Sequence, residues 1–241
     1  MAKIVEIRGN IFDSSCQTIV NTVNCVGVMG KGIAFEYRHR FPEMFKSYAK
    51  LCENKQLHPG LLQLWTKSTP WILNFPTKNH WKYPSKIQYI ESGLSKFAET
   101  YYARGITSIA FPELGTSSGG LKWAEVSNLM YKYLEPLNNL DIEIYHFDPN
   151  AKDTFFDTFF QKVHRFDLSD YKNYLNIPSQ QSRIIKDAIE SNKINTMLEL
   201  QNLPGVGDKT FDKIYTFVNA EKVSQSNRLV TNSERQPSLN F

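Results

Sequence analysis

Residues 21–34, NTVNCVGVMGKGIA, carry three glycines within six positions, Gly27, Gly30 and Gly32, between a β-branched run and a segment of helical spacing. Glycine tolerates the backbone conformations that let a chain pass from strand to helix in so few residues. Such a turn leaves peptide N–H groups beside a helix N-terminus, an arrangement suited to a pyrophosphate. The pattern is neither a Walker A loop nor a G-x-G-x-x-G fingerprint, and an ordinary tight turn would use the same glycines. A second run, FPELGTSSGGLKW at 111–123, joins another strand to another helix through glycines and hydroxyls. Two such loops at one sheet edge would grip a diphosphate between them.

The first 150 residues repeat this alternation. Short β-branched runs predict strands at 4–7, 18–23, 60–66, 71–75, 108–111 and 142–147. Helical spacing covers 32–54, with a break at Pro42, and then 85–102 and 123–134. This order implies an α/β sheet with helices on both faces and ligand loops at the strand ends. After DPN at 148–150 the character changes. The aromatic run DTFFDTFF at 153–160 is expected to pack back on the first domain, and IPSQQS at 177–182 resembles a linker. The expected division is 1–150, an aromatic-rich connector at 151–182, a helical module at 183–220 and a flexible polar tail at 221–241.

At 241 residues the chain can bury one main core and a small appendage. A net charge of +4 is compatible with a nucleic acid or nucleotide partner without requiring one. Three cysteines, Cys16, Cys25 and Cys52, have no CxxC spacing. Reduced thiols in a cytoplasmic protein are expected, with no metal site and no cofactor. The opening residues, MAKIVEIRGN, are charged and interrupted, unlike a secretory signal, and no apolar stretch approaches the roughly 18 residues a membrane helix needs, so no membrane partner is expected.

FPTKNHW at 75–81 places a lysine and a histidine just past an apolar strand that Pro76 should stop. Strand ends are where α/β folds carry their chemistry. A free lysine, with a pKa of about 10.4, is almost wholly protonated at neutral pH. Nucleophilic use of Lys78 therefore requires an environment that lowers its pKa or a base that takes the proton. Two surface residues with Trp81 packed underneath would read the same way.

Taken together, GNI at 9–11, VNTVNCVGVMGKGIA at 20–34, NFPTKNHW at 74–81, PELG at 112–115 and GGLKW at 119–123 resemble a macrodomain. Within that superfamily they are most similar to the DNA ADP-ribosyl glycohydrolase branch of DarG-like antitoxins. The resemblance covers about residues 1–150, in order. It implies a three-layer α/β/α fold with a mixed sheet and an ADP-ribose cleft at the strand ends. Asn10 and Ile11 should then lie near the adenine, where most macrodomains carry aspartate after the glycine. Asn24 should face the distal ribose. Gly27, Val28, Met29, Gly30, Lys31 and Gly32 should hold one side of the diphosphate, and Leu114, Gly115, Thr116, Ser117, Ser118, Gly119 and Gly120 should cover the other. Phe147 either stacks on adenine or belongs to the core. By the same resemblance Lys78 is catalytic, attacking the anomeric carbon of the distal ribose, and His80 assists proton transfer or orients the leaving base. Members of the branch often carry a CGNGG-like run or an acidic residue in the second loop. Here TSSGG at 116–120 leaves the proton donor open, and the nearest carboxylate, Glu113 after Pro112, is expected to be solvated.

LPGVGDKT at 203–210 resembles a helix-hairpin-helix, whose hairpin offers backbone N–H groups to a DNA phosphate without reading sequence. Gly205, Gly207, Lys209 and Thr210 are the candidate phosphate contacts, with Lys213 adding charge; a hairpin serving only protein packing is the alternative. DarG-like antitoxins usually carry a different C-terminal region that sequesters their toxin, so this arrangement favours delivery to DNA, while a DarT-like toxin stays a candidate partner. QPSLNF at 236–241 resembles a bacterial sliding-clamp peptide, and an inert tail explains it as well. The expected activity is removal of ADP-ribose from bases of single-stranded DNA. The rivals are a non-catalytic ADP-ribose reader, a glycohydrolase acting on protein carboxylates, and a repair adaptor with the macrodomain as scaffold.

Overall fold

The computed structural model describes the backbone of residues 1–233 and the side chains of residues 1–220. QPSLNF lies outside the described residues. The chain forms two compact units, Met1–Lys152 and Asp153–Phe241.

In the first unit the β-branched runs form β1 (Lys3–Gly9), β2 (Thr18–Val23), β3 (Gln63–Trp65), β4 (Trp71–Pro76), β5 (Ser108–Pro112) and β6 (Asp141–Phe147). They make one six-stranded sheet in the order β1-β6-β5-β2-β4-β3. All neighbours are parallel except β3, which runs antiparallel to β4 at the edge. The central β2 is buried at every residue but Thr22, as a strand covered on both faces must be. Its buried amide is paired through nitrogen: Asn21 Nδ2 donates to Asn74 Oδ1 at 2.8 Å, and Asn74 Nδ2 donates to Gln63 Oε1 at 2.9 Å. These amides join β2, β4 and β3, and a one-residue slip would bury them unpaired.

Helices α1 (Gly32–Arg40) and α2 (Pro42–Glu53) cover one face, where Tyr37, Met44 and Tyr48 meet Ile19, Val23 and Ile72. Pro42 separates them as expected, since it starts a helix well but cannot continue one. On the other face α3 (Ile87–Thr100) and α4 (Trp123–Leu134) bury Leu94, Phe97 and Met130 against Val20, Leu73 and Phe111. Gly93 brings α3 onto the sheet, because a Cβ there would lie 2.2 Å from Phe75 Cζ.

The second unit is helical: α5 (Thr154–Val163), α6 (Leu168–Leu175), α7 (Ser179–Glu190), α8 (Met197–Gln201) and α9 (Asp208–Ser233). The aromatic run at 153–160 packs within this unit. Phe155 stacks on Tyr215 with ring centroids 4.4 Å apart, and Asp153 caps α5 while accepting from Met197 N at 2.8 Å. The stretch at 177–182 is not a linker: Ile177 is buried, Pro178 is the N-cap of α7, and the helix begins at Ser179. Helix α9 passes residue 221, where a tail was expected to start, because 208–233 contains no glycine or proline to stop it. Among the described residues no helix is long and apolar enough to cross a membrane.

Candidate active site

Because β1, β6, β5, β2 and β4 are parallel, their C-terminal ends reach one edge of the sheet. Loop 1 after β2, the segment after β4, loop 2 after β5, Asn10 after β1 and Phe147 at the end of β6 therefore collect there.

Loop 1 is folded by Asn24. Its Oδ1 accepts from the N–H groups of Val26 (3.0 Å) and Val28 (3.4 Å), and its Nδ2 donates to Val28 O at 2.5 Å. From beneath, the Tyr48 hydroxyl donates to Asn24 O at 2.8 Å. Asn24 thus shapes the loop, and facing a ribose would require it to exchange one of these bonds. Gly27 and Gly32 take left-handed φ of 78° and 58°. No side chain caps α1 at Lys31, which leaves the helix start for an anion. Val28, Gly30 and Lys31 are exposed, whereas Met29 is buried beside Tyr37 and Met44 and offers only backbone. Its side chain belongs to the apolar packing of that face of the sheet.

The segment after β4 is tied to loop 1. Thr77 N and Lys78 N both donate to Val23 O (2.9 and 3.3 Å), Cys25 N donates to Asn79 O at 3.2 Å, and the Cys25 thiol donates to Lys78 O at 3.4 Å. Burial pushes the Cys25 thiol up to about 12, which keeps it protonated as that donor. The backbone of Lys78 is thereby fixed, and its ammonium reaches across to donate to Ser118 O in loop 2 at 2.5 Å. Burial lowers the Lys78 pKa, in the direction a nucleophilic amine needs.

His80 does not share a bond with that ammonium. Its Nδ1 accepts from Lys82 N at 3.2 Å, which puts the ring proton on Nε2, and its ring stacks on Trp81. It lines a groove of about 760 Å³ together with Cys25, Gly27, Cys52, His58 and Asn79.

Loop 2 is a tight crossing. Gly115 and Gly120 have φ of 69° and 77°, Leu121 N donates to Gly115 O at 3.1 Å, and Ser85 N donates to Gly119 O at 2.9 Å. At Gly119 a Cβ would lie 2.2 Å from Gly115 O and 2.4 Å from Ser85 Oγ. Ser117 and Ser118 form the exposed tip, and Leu114 is buried in the core. Thr116 Oγ1 donates to Glu113 Oε2 at 3.1 Å.

Glu113 is not a freely solvated carboxylate. Its Oε1 pairs with His146 Nδ1 at 2.7 Å, His146 Nε2 pairs with Glu6 Oε2 at 2.7 Å, and the Tyr131 hydroxyl donates to Glu6 Oε1 at 2.6 Å. The Glu113 hydrogen bond, reinforced by Glu6, raises the His146 pKa against a smaller opposing effect of burial. This chain of groups braces the start of loop 2, and no local motif announced it, because its members are dispersed between residues 6 and 146.

Phe147 is 64% exposed, which removes the core reading. It lies in register with Gly9, next to Asn10. The Asn10 side chain accepts from Phe12 N at 3.1 Å and caps a 3-10 turn at Ile11–Asp13; Ile11 is buried, leaving its backbone available. In the second unit, Gly205 takes a φ of 75° in the hairpin between α8 and α9. Gly207 and Lys209 are exposed, Thr210 is buried, and the Lys213 ammonium donates to Asn176 O.

The family profile described as Macro domain matches residues 20–130. A structure of the macrodomain of Mycobacterium tuberculosis DarG superposes with a TM-score of 0.58 at 38% identity, covering 60% of this chain and 98% of that one. The chain belongs to the macrodomain family. The structure of Thermosipho africanus DarTG in complex with ADP-ribose superposes with a TM-score of 0.58 at 36% identity, over 64% of this chain and 43% of that one. A DNA ADP-ribosyl glycohydrolase of Thermus aquaticus is 37% identical over 150 residues, 61% of this chain and 42% of the relative. One from Mycobacterium tuberculosis is 40% identical over 143 residues, 57% of this chain and 40% of the relative. This chain thus spans about two fifths of the length of these curated relatives. Loop 1, loop 2 and Lys78 meet at one edge of the macrodomain sheet.

Proposed function

We propose that the macrodomain hydrolyses the bond between ADP-ribose and a DNA base, with Lys78 as nucleophile. The observation that carries this reading is Lys78 itself: a half-buried lysine with a lowered pKa, backbone-fixed by loop 1, whose amine reaches loop 2 across the cleft. Binding ADP-ribose requires no amine in that place. The similarity to DNA ADP-ribosyl glycohydrolases at 37–40% identity supports the choice of substrate.

In this reading the diphosphate lies between the start of α1 and loop 2, and adenine lies against Phe147 and Asn10. The neutral Lys78 amine attacks the anomeric carbon of the distal ribose as it becomes oxocarbenium-like. The electron pair of the broken bond goes to the base, which takes a proton. That proton is the one the Lys78 nitrogen sheds on bonding to carbon, and His80, whose Nδ1 accepts from Lys82 N, orients the departing base through a hydrogen bond from Nε2–H, since Glu113 is committed to His146 and Thr116. Water then displaces Lys78 and frees ADP-ribose.

The second unit holds the substrate's backbone in this proposal. A left-handed Gly205 between α8 and α9 supports a helix-hairpin-helix reading, in which the exposed N–H groups near Gly207 and the Lys209 ammonium meet a phosphate. Such a contact is sequence-independent and leaves recognition of the lesion to the macrodomain. An antitoxin partner role toward a DarT-like toxin belongs to the same reading through the DarTG relatives.

The test is release of ADP-ribose from an ADP-ribosylated single-stranded oligonucleotide and from a peptide modified on glutamate. Release from the oligonucleotide alone supports the proposal. Release from the peptide alone reassigns the enzyme to protein carboxylates.

A further inference from the structure

The eight residues that follow Lys78 carry an exposed ring cluster of which the chemistry above uses only His80. Trp81 is 49% and Tyr83 66% exposed, although both are large enough to dominate a core. His80 lies between them, stacked on Trp81 with centroids 5.7 Å apart and an interplanar angle of 24°, and tilted against Tyr83 at 5.5 Å. Cations accompany the rings: Lys82 Nζ sits 5.2 Å from the Trp81 centroid, and Lys86 Nζ sits 5.7 Å from that of Tyr89. From residue 76 to residue 90 the sequence contains Lys78, Lys82 and Lys86 and no carboxylate.

The cluster is held in place rather than trailing. Lys82 N donates to His80 Nδ1, Tyr83 N donates to His80 O at 3.2 Å, and Ser85 N donates to Gly119 O at 2.9 Å. One end is therefore Lys78 and the other is fastened to loop 2. A ligand lying on these rings is adjacent to the bond that Lys78 attacks.

We propose that residues 79–86 form a platform for single-stranded DNA, on which Trp81 and Tyr83 stack the bases flanking the modified nucleotide while Lys82 and Lys86 pair with its phosphates. This rests on the DNA-directed reading of the site and extends it to the strand. Exposed ring faces interleaved with cations are what a strand of unstacked bases and regularly spaced phosphates requires. A duplex hides those faces, so the platform selects single strands. An acidic peptide would use the lysines and leave the rings without a role.

The test uses the full chain and a labelled, unmodified oligothymidylate of about six nucleotides, followed by fluorescence anisotropy. Wild type is expected to bind it. Trp81→Ala and Tyr83→Ala are each expected to weaken binding at least about fivefold, and Trp81→Phe is expected to retain it. Lys82→Ala is expected to flatten the slope of log K against log salt by about 0.7. Affinity for free ADP-ribose, measured on every variant, should stay at the wild-type value, which shows that the macrodomain is folded. Equal oligonucleotide binding by the alanine variants would overturn the platform, as would competition by oligoglutamate equal to that by the oligonucleotide. The assay involves no turnover. Oligonucleotide binding without ADP-ribose release would sink the hydrolase and keep the platform, and release without ring-dependent binding would do the reverse.

Discussion

Gly119→Ala perturbs the geometry of loop 2 while keeping the Lys78 amine in the chain. The new Cβ would stand 2.2 Å from Gly115 O, 2.7 Å from Gly115 C and 2.4 Å from Ser85 Oγ, where ordinary van der Waals contact begins at 3.4 Å. Ser85 can turn its hydroxyl away, but Gly115 O is backbone and accepts from Leu121 N. Restoring contact requires the crossing to open by 3.4 − 2.2 = 1.2 Å. Overpacking of this kind costs about 1–3 kcal/mol. Part of that strain is relieved by moving the loop, which carries its N–H groups away from the diphosphate. Losing one hydrogen bond to a charged group costs about 1.5–3 kcal/mol, or roughly tenfold to a hundredfold in ADP-ribose affinity. Gly120→Ala is the companion variant: nothing lies within 4 Å of its Cβ, so only the left-handed φ of 77° is penalised, by about 1–2 kcal/mol. Isothermal titration with ADP-ribose, alongside thermal melting, measures both. Gly119→Ala binding at the wild-type affinity with an unchanged melting temperature would refute the account of loop 2.

Further expectations follow from other contacts. The rate of ADP-ribose release should rise with pH as Lys78 loses its proton and level off below the ordinary lysine value of about 10.4, since burial lowers its pKa; a rate that falls with pH across that range would remove the neutral amine from the mechanism. His146 gains its proton more readily in the folded state, so its pairing with Glu113 and Glu6 contributes stability that is present below the unfolded pKa of about 6.5 and lost as pH rises through the raised folded value. His146→Gln should therefore lower the melting temperature more at pH 6 than at pH 9, and an equal loss at both would show that the charge contributes nothing. Gly93→Ala should destabilise the macrodomain by about 1–3 kcal/mol, because the added methyl meets the Phe75 ring. A melting curve indistinguishable from wild type would show that α3 can back away from the sheet.

Much of the first unit was legible because local rules and tertiary packing agree there. The β-branched run at 18–23 is β2 to the residue, and 123–134 is α4. Pro42 divides the helices where its missing N–H says it must. The run expected as a strand at 60–66 shrinks to Gln63–Trp65, since Gly60 takes a φ of 92° in a turn. At the site, the motif positions were readable but the directions of side chains were not. Met29 enters the core, Asn24 spends its amide on its own loop, and Glu113 turns to His146. The Glu113 partner is brought close by the sheet from 33 residues away, whereas Asn24 bonds within its own loop, four residues on, through a geometry that sequence spacing does not reveal. The aromatic run at 153–160 was visible as apolar, but sequence period does not say which core it joins. Tyr215, more than fifty residues on, decides that.

The most direct test of the central claim is release of ADP-ribose from an ADP-ribosylated single-stranded oligonucleotide by wild type and Lys78→Ala, with ADP-ribose affinity measured for both. The account predicts release by wild type, loss of release in the variant, and binding that persists. Undiminished release by Lys78→Ala would contradict it.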